Sequence, residues 1–502
     1  MNEQKSHDNQ YIAVFDVGKT NKKLLIFDSS FQIVASTYAT FDAFQEDALF
    51  YESLRESAAW FLESLKEMAA QYTIGAVSIS AHGATFVCLD DAGELAMPVL
   101  SYTSDPGEFF HQRFHQNFGD ADELHLTLKT PSMPGLGCMA KGIYFAQEKY
   151  PQEFERTDII LNLPQYYGYL LTGKYGVEKT YLGSHTYLWD FDGQCFSAVV
   201  DQLGIRNKIP QNITNPWDVL GTVSPAIANQ TGLSEKTLVT VGIHDSNAAL
   251  LPYLIKVREP FTLNSTGSVC VAMRPGGKIS ITREELGKVV YYNLSAFSDP
   301  VKTSIFLGGM EFDTYAGFLL NLHNNRPFPA FDRKVCEKVL LEKRHFIIPS
   351  IIPFGMFPQS SPRVIEGDKE FSFADIAAGN FPPFFHNFEY AYAVLSISQA
   401  IQSKVSLTIV GNEKGDIIFV EGGFRKNDYY MAMLSALLPG SKLFLTNLEE
   451  ASAFGAALLG KSAIEGKHPR EMDGSFEIEI EMIQHDIDGV QEYERSFGEY
   501  IL

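Results

Sequence analysis

The amino-acid sequence predicts an α/β protein built from two domains, on three observations. Its 502 residues are too many for one hydrophobic core, and a 45% apolar composition is enough for two. The opening segments read strand, strand, strand, helix, strand. A comparable order then restarts near residue 260, so two units of about 250 residues each are expected.

Tyr11 to Asp16 is a continuous apolar run ending in a carboxylate, followed by a turn at Gly18 and a second run, Leu24 to Asp28. Phe31 to Ala39 reads as a third strand. Leu49 to Tyr72 carries Leu54, Ala58, Phe61, Leu62, Leu65 and Met68 at helical spacing, giving one face to pack on that sheet. Thr73 to Ser80 is the strand after the helix, and Thr85 to Leu89 with the Asp91-Ala92-Gly93 turn is a hairpin. In the second half, Phe261 to Asn264 leads through Ser265-Thr266-Gly267-Ser268 into Val269 to Met273. No short-period repeat or low-complexity linker marks the boundary, which the restart places near Pro252 to Pro260. Near the end, Phe476, Ile478, Ile480 and Met482 alternate with Glu477, Glu479 and Glu481, the pattern of a solvated edge strand.

The N-terminal decapeptide MNEQKSHDNQ is polar, and no apolar run approaches the roughly 18 residues of a membrane span, so a cytoplasmic protein without a membrane partner is expected. Cys88, Cys138, Cys195, Cys270 and Cys336 lie far apart without CxxC spacing and read as reduced, mostly buried thiols. A formal charge of −21 offers no basic footprint for nucleic acid.

Five segments can carry chemistry. In Asp16-Val17-Gly18-Lys19-Thr20 a strand ends in a carboxylate and turns sharply, which can present amides and a carboxylate to Mg²⁺ and phosphate. Gly18 permits close backbone approach, Thr20 offers a hydroxyl and an amide, and Lys19 or Lys23 can neutralise phosphate charge. Alone, the segment reads more readily as an ordinary hairpin turn. It is not the end of a P-loop, because the required first glycine falls on Ala13 and a strand follows instead of a helix. Asn264-Ser265-Thr266-Gly267-Ser268 is a small-residue turn able to bind phosphate oxygens. Glu421-Gly422-Gly423-Phe424-Arg425-Lys426-Asn427 lies between the strand Ile417 to Val420 and a helix over Asp428 to Leu438, and its glycines let a flat ring lie against backbone. In Gly242-Ile243-His244-Asp245-Ser246-Asn247 the aspartate can accept a proton from a hydroxyl as a phosphoryl group arrives, or simply cap a helix. Glu449 to Ala457 reads as a helix whose small residues allow close packing.

Order and separation add to these signals: DxGxT from Asp16, GxHD from Gly242, STG from Ser265, GGxxxN from Gly422 and EAxAxGAA from Glu450. This set resembles the FGGY family of carbohydrate kinases. The resemblance implies an α/β fold of two ribonuclease-H-like, actin-like ATPase domains around a central catalytic cleft. Residues 1–255 would hold the sugar, the first phosphate motif and the catalytic aspartate, and residues 256–502 the second phosphate and adenosine motifs. It also implies ATP-dependent phosphorylation of a sugar hydroxyl with Mg²⁺. Carried over by position, Asp16 becomes the Mg²⁺-side carboxylate, Gly18, Lys19, Thr20 and Lys23 face the phosphates, and Asp245 is the general base. Thr266 and Gly267 would hold the transferring phosphate, and Gly422, Gly423 and Asn427 would line the adenosine pocket.

For the sugar, the resemblance nominates His82, which reads equally as a structural histidine, Gly83, Tyr102, Asp105 and His244 beside Asp245, with Thr180 and His185 as further candidates. The His244-Asp245 pair is similar to rhamnulose and fuculose kinases more than to glycerol kinases, which points to a ketose or 6-deoxyketose such as L-rhamnulose or L-fuculose. Xylulose, ribulose or erythritol is the alternative within the enzymes, and an actin-like ATPase switch is the alternative outside them. Lys19 stands where the family usually has threonine, and Phe424 where many members have a small residue. Ser101-Tyr102-Thr103-Ser104-Asp105 occupies the place of the usual Trp-x-Asp-x-Arg segment. A homodimer is the default expectation, and domain closure about residues 252 to 260 is expected before transfer.

Overall fold

The computed structural model describes residues 10–352 and 354–501, so nine residues of the N-terminal decapeptide lie outside it. Strand β1 (Tyr11–Val17) is apolar except at Asp16 and is buried from Ile12 onward, the signature of a strand covered on both faces. It pairs antiparallel with β2 (Asn21–Phe27), and β2 pairs antiparallel with β3 (Ile33–Thr40). On its other side lies β4 (Ile74–Ala81), parallel to β1. Beyond β4 come β5 (Val219–Thr222) and β6 (Leu238–Thr240), in the spatial order β5-β6-β4-β1-β2-β3.

Helix α1 (Leu54–Ala69) buries Leu54, Ala58, Phe61, Leu65 and Met68, stacking Phe61 on Phe15 of β1 with ring centroids 4.0 Å apart. It starts later than the spacing suggests. Leu49–Tyr51 is a short strand paired with Phe44–Glu46, and its buried, exposed, buried pattern shows a period of two. The expected hairpin at Thr85 to Leu89 is present but short: the chain reverses after Asp90, whose carboxylate accepts from the Ala92 and Glu94 amides, and Leu89 bridges Leu95, while the longer ladder of Phe86–Leu89 is with Ile159–Asn162.

The second sheet contains β7 (Phe261–Thr266), β8 (Cys270–Pro275), β9 (Val290–Leu294), β10 (Pro300–Phe306), β11 (Ile417–Gly422), β12 (Lys442–Thr446) and β13 (Ile480–Ile483), ordered β9-β10-β8-β7-β11-β12-β13. From β10 to β13 the pairings run antiparallel, antiparallel, parallel, parallel, antiparallel. The same sequence of pairings runs from β3 to β5, so the two halves share one topology. The C-terminal edge strand is shorter than its alternating sequence suggests, because Phe476 turns inward against Phe31 and Phe454.

Helix α2 (Asp245–Lys256) belongs to both cores. Its Ala248, Leu251 and Ile255 pack with Ile12, Val14 and Leu25 of the first sheet, while Leu250, Tyr253 and Leu254 pack with Phe261, Leu263 and Phe419 of the second. Pro252 lies inside this helix, so the stretch linking it to β7 is confined to Val257–Pro260. Helices α3 (Gly308–Leu322), α4 (Phe388–Ile409) and α5 (Asp428–Leu437) pack together beside the second sheet, and α6 (Ala451–Glu465) returns to lie against α2, β1 and β4. Having no N–H, Pro252 gives Ala248 O no hydrogen bond from four residues on. That carbonyl faces Gly455 of α6, where a Cβ would stand 1.9 Å from it.

Gly455→Ala is therefore expected to push α2 and α6 apart and lower the melting temperature, although alanine improves helix propensity by about 1 kcal/mol. Gly474→Ala, with open space around its added Cβ, is the control for scanning calorimetry. Equal melting temperatures for the two variants would remove the close crossing as a constraint.

Candidate active site

Asp16 and Asp245 flank the carboxyl end of β4. Asp16 is paired in register with Ser80, and His244, the residue before Asp245, with Ala81. Crevices beyond the carboxyl ends of strands are where open α/β sheets bind ligands. Asp16 is 6% exposed, and burial pushes its carboxyl up to about 6 against the opposing pull of Lys23 and of a hydrogen bond from Ser452 Oγ at 2.9 Å. Lys23 is the cross-strand neighbour of Asp16 and pairs with Glu450 at 2.6 Å. Burial would lower its ammonium, but Glu450 and Asp16 together hold it above its usual range.

The turn after Asp16 is fastened from within. Lys22 is buried and donates to the carbonyls of Gly18 at 3.0 Å and Lys19 at 2.8 Å, and a Cβ on Gly18 would stand 2.9 Å from Asn21 O. Thr20 is exposed at the tip. Lys19, expected on the phosphate side, instead donates to Glu52 and to Ser101 Oγ and lies 5.3 Å over the Tyr102 ring. Both partners come from segments far along the chain, so no local motif reveals them.

Three imidazoles gather near Asp245. His82 follows β4 and packs 5.5 Å from Tyr102. A Cβ on Gly83 would stand 2.8 Å from Nε2 of both His185 and His244, so only glycine leaves these rings their place. His185 is held in the left-handed region, φ 39°, with Nδ1 2.8 Å from Gly137 O. His244 Nε2 lies 3.3 Å from Ser184 Oγ and its Nδ1 3.5 Å from Asp245 Oδ1. Burial pushes all three imidazoles down to about 4, so they are neutral near pH 7. Asp245 opens α2, and its side chain remains 32% exposed. Burial raises its carboxyl, while the Ser246 amide and hydroxyl, both donating to Oδ1, oppose that rise.

Thr180 orients this corner. Its hydroxyl accepts from the His244 amide at 3.1 Å and donates to Glu178 Oε1 at 2.9 Å. Glu178 is fully buried and caps the short helix Lys179–Leu182, and burial pushes its carboxyl up to about 7 against three hydrogen bonds from Thr180 and Tyr181. Asp105 hydrogen-bonds to none of these three imidazoles. Its side chain is 64% exposed and accepts from the Gly107 amide and pairs with His111, fixing the start of the helix Glu108–Phe118.

On the other side, Thr266 and Gly422 are register partners at the ends of β7 and β11. The Thr266 hydroxyl donates to Glu421 O and accepts from the Phe424 amide, so it holds the two turns together instead of pointing at a ligand. Gly422 adopts φ 82°, and a Cβ there would stand 2.0 Å from Thr266 O. In front of Gly267 and Gly423 the nearest atoms to an added Cβ are 3.5 and 3.7 Å away, which leaves their backbones approachable. Asn427 is committed inward: it caps α5 through the Tyr430 amide and donates to Ser396 Oγ. Phe424 is buried against Phe312 and Tyr430, so the bulky residue at this position leaves the turn unobstructed.

Residues 11–252 match the family model for the FGGY family of carbohydrate kinases, N-terminal domain, and residues 258–469 match carbohydrate kinase FGGY, C-terminal domain. The chain belongs to the FGGY family of carbohydrate kinases. Membership implies ATP as the phosphoryl donor. This FGGY chain is 25% identical to the rhamnulokinase of Enterococcus faecalis over 175 residues, covering 35% of the chain and 34% of that protein. It is 22% identical to the xylulose kinase of Bacillus subtilis over 296 residues, 57% of each. These stretches thus span a third to just over half of the curated relatives. Among solved structures, a carbohydrate kinase from Novosphingobium aromaticivorans superposes with a TM-score of 0.81 at 24% identity, covering 98% of this chain and 99% of that one. A ligand-bound xylulose kinase from Lactobacillus acidophilus gives 0.78 at 13% identity, covering 98% and 97%. These likenesses show the shared fold of two ribonuclease-H-like, actin-like domains.

Sequence reasoning passed over Lys22, Glu52, Glu178 and Ser452. Ser452 lies within the EAxAxGAA segment and Lys22 beside Lys23, but nothing local reveals which way either side chain turns. Glu178 supplies a pH test. Between its ordinary 4.5 and about 7 the folded chain binds a proton that the unfolded chain has released, so stability falls as pH rises through that window, by up to about 3 kcal/mol. Glu178→Gln removes this dependence. Its melting temperature relative to wild type is expected to improve between about pH 5 and pH 8, and a constant difference would count against the buried carboxylate.

Proposed function

We propose that this chain transfers the γ-phosphoryl group of ATP to a hydroxyl of an uncharged ketose or 6-deoxyketose, with L-rhamnulose and L-fuculose the first acceptors to test and Asp245 as the general base. The observation that carries this reading is the setting of Asp245: a part-exposed carboxylate opening a helix, among three neutral imidazoles, with Asp16 across the end of one strand. Lys19 is matched by Glu52, which supports an uncharged acceptor over a sugar acid such as gluconate, for which another Lactobacillus acidophilus structural relative is named.

Asp16 suits Mg²⁺, since a cation would offset the burial that raises its carboxyl. Among the described residues no three His, Cys, Asp or Glu side chains gather as a metal cluster, so phosphate oxygens and water would complete the shell, as Mg²⁺ prefers. When bound, the ion supplies charge neutralisation at the phosphates. The chain's own residues do the rest. The approachable backbones at Gly267 and Gly423 receive the nucleotide. Asp245 orients the acceptor hydroxyl and takes its proton late in transfer, for which an ordinary carboxylate suffices. His82, His185 and His244 can hydrogen-bond neighbouring hydroxyls without bringing net charge. Closure about Val257–Pro260 would exclude water from the cleft.

Xylulose is the second reading, favoured by the longer stretch shared with the Bacillus subtilis xylulose kinase, 57% of the chain against 35% for the rhamnulokinase. A coupled ADP-release assay with Mg-ATP against ketoses, 6-deoxyketoses and polyols decides between them. Turnover is expected to depend on the sugar and to fall about 10²- to 10⁴-fold in Asp245→Asn. Sugar-independent turnover that Asp245→Asn leaves intact would sink this mechanism and favour an ATPase switch.

A further inference from the structure

Helix α2 begins with Asp245, and two turns further on it presents Tyr253 to the other half of the molecule. The Tyr253 hydroxyl donates to Glu421 Oε1 at 2.5 Å and lies 3.0 Å from Thr446 Oγ1, at the ends of β11 and β12. Its ring packs 4.8 Å from Phe419. Tyr253 is wholly buried and Glu421 is 4% exposed. Glu421 immediately precedes Gly422-Gly423, and its carbonyl accepts from Thr266, whose hydroxyl in turn accepts from the Phe424 amide. One residue thus touches both turns on the nucleotide side through its backbone and the base-bearing helix through its side chain.

Stability alone does not account for this pair. Burial pushes the Glu421 carboxyl up to about 7, with the Tyr253 hydroxyl the chief group opposing the rise. The Arg425 guanidinium is spent on Thr446 O and Glu449. An apolar side chain of similar volume at position 421 would avoid the desolvation of a carboxylate. What it could not do is hold α2 to the end of β11 by a directional bond.

We propose that Tyr253 and Glu421 are positioning residues that couple the nucleotide turns at Thr266–Gly267 and Gly422–Gly423 to the helix carrying Asp245. Seating of the nucleotide against these turns then steadies α2 and aligns the base. The coupling rests on the kinase reading given above.

Hydrogen–deuterium exchange with the non-hydrolysable probe Mg-AMP-PNP tests it on the full chain. In wild type, the probe is expected to slow exchange at residues 422–427 and also across 245–250. Tyr253→Phe and Glu421→Leu should keep the first protection and reduce the second on the order of tenfold. Glu421→Gln retains an acceptor oxygen and should restore it. Glu421→Leu also removes the buried carboxylate, so it should melt no lower than wild type while losing the coupling, an outcome a merely structural bond would not give. Retained protection of 245–250 in both uncoupled variants overturns the proposal. Protection confined to 422–427 in wild type overturns it while leaving nucleotide binding intact. Absence of protection anywhere in wild type overturns both the coupling and the nucleotide reading beneath it.

Discussion

Two helices cross where the halves of this molecule meet, and the distance between them is set by a side chain that is absent. Gly455 lets α6 approach the Ala248 carbonyl of α2, the carbonyl that Pro252 leaves without its intrahelical donor. Much of the site follows from that approach. With α6 in place, Ser452 reaches Asp16 and Glu450 reaches Lys23, so the first strand's carboxylate and its neighbouring lysine take partners from a segment far along the chain. With α2 in place, Asp245 stands beside the end of β4 while Tyr253 reaches the end of β11. Helix α2 is a shared part of two cores, and the Asp16 and Asp245 carboxylates sit at its edge.

Buried acids recur along this seam. Asp16, Glu178 and Glu421 are all raised by burial; Asp16 is answered by Lys23 and Ser452, Glu178 by donors from Thr180 and Tyr181, and Glu421 chiefly by the Tyr253 hydroxyl. Such groups are costly in a folded core. They cluster where direction matters: Glu178 through Thr180 fixes the amide before Asp245, and Glu421 faces the helix that bears it. The histidines follow the opposite logic, since burial removes their charge and leaves donors and acceptors of fixed orientation.

The sequence was most legible at backbone turns. Asp16-Val17-Gly18, Ser265-Thr266-Gly267 and Gly422-Gly423 do stand at strand ends, because an apolar run that stops at small or acidic residues is a local signal. Side-chain direction was not legible. Lys19 turns to Glu52, the Thr266 hydroxyl to Glu421 O, and Asn427 to Tyr430 and Ser396, each partner being supplied by tertiary packing. Asp105 was placed by its position after a hairpin, and its carboxylate is committed to the Gly107 amide and His111 at the start of a helix. The helix read over Leu49 to Tyr72 was too long at both ends, since the buried Leu49 and Tyr51 satisfy a two-residue period as well as a helical one.

The double membership of α2 also bears on how the chain can come apart. Leu250, Tyr253 and Leu254 complete the core of the second sheet, whereas Ala248, Leu251 and Ile255 complete that of the first. Melting either half strips apolar cover from a helix the other half needs, so the free energies of the two halves are not independent. The two cores are therefore energetically coupled through α2, and severing the chain anywhere within α2 would leave each fragment with an open apolar flank.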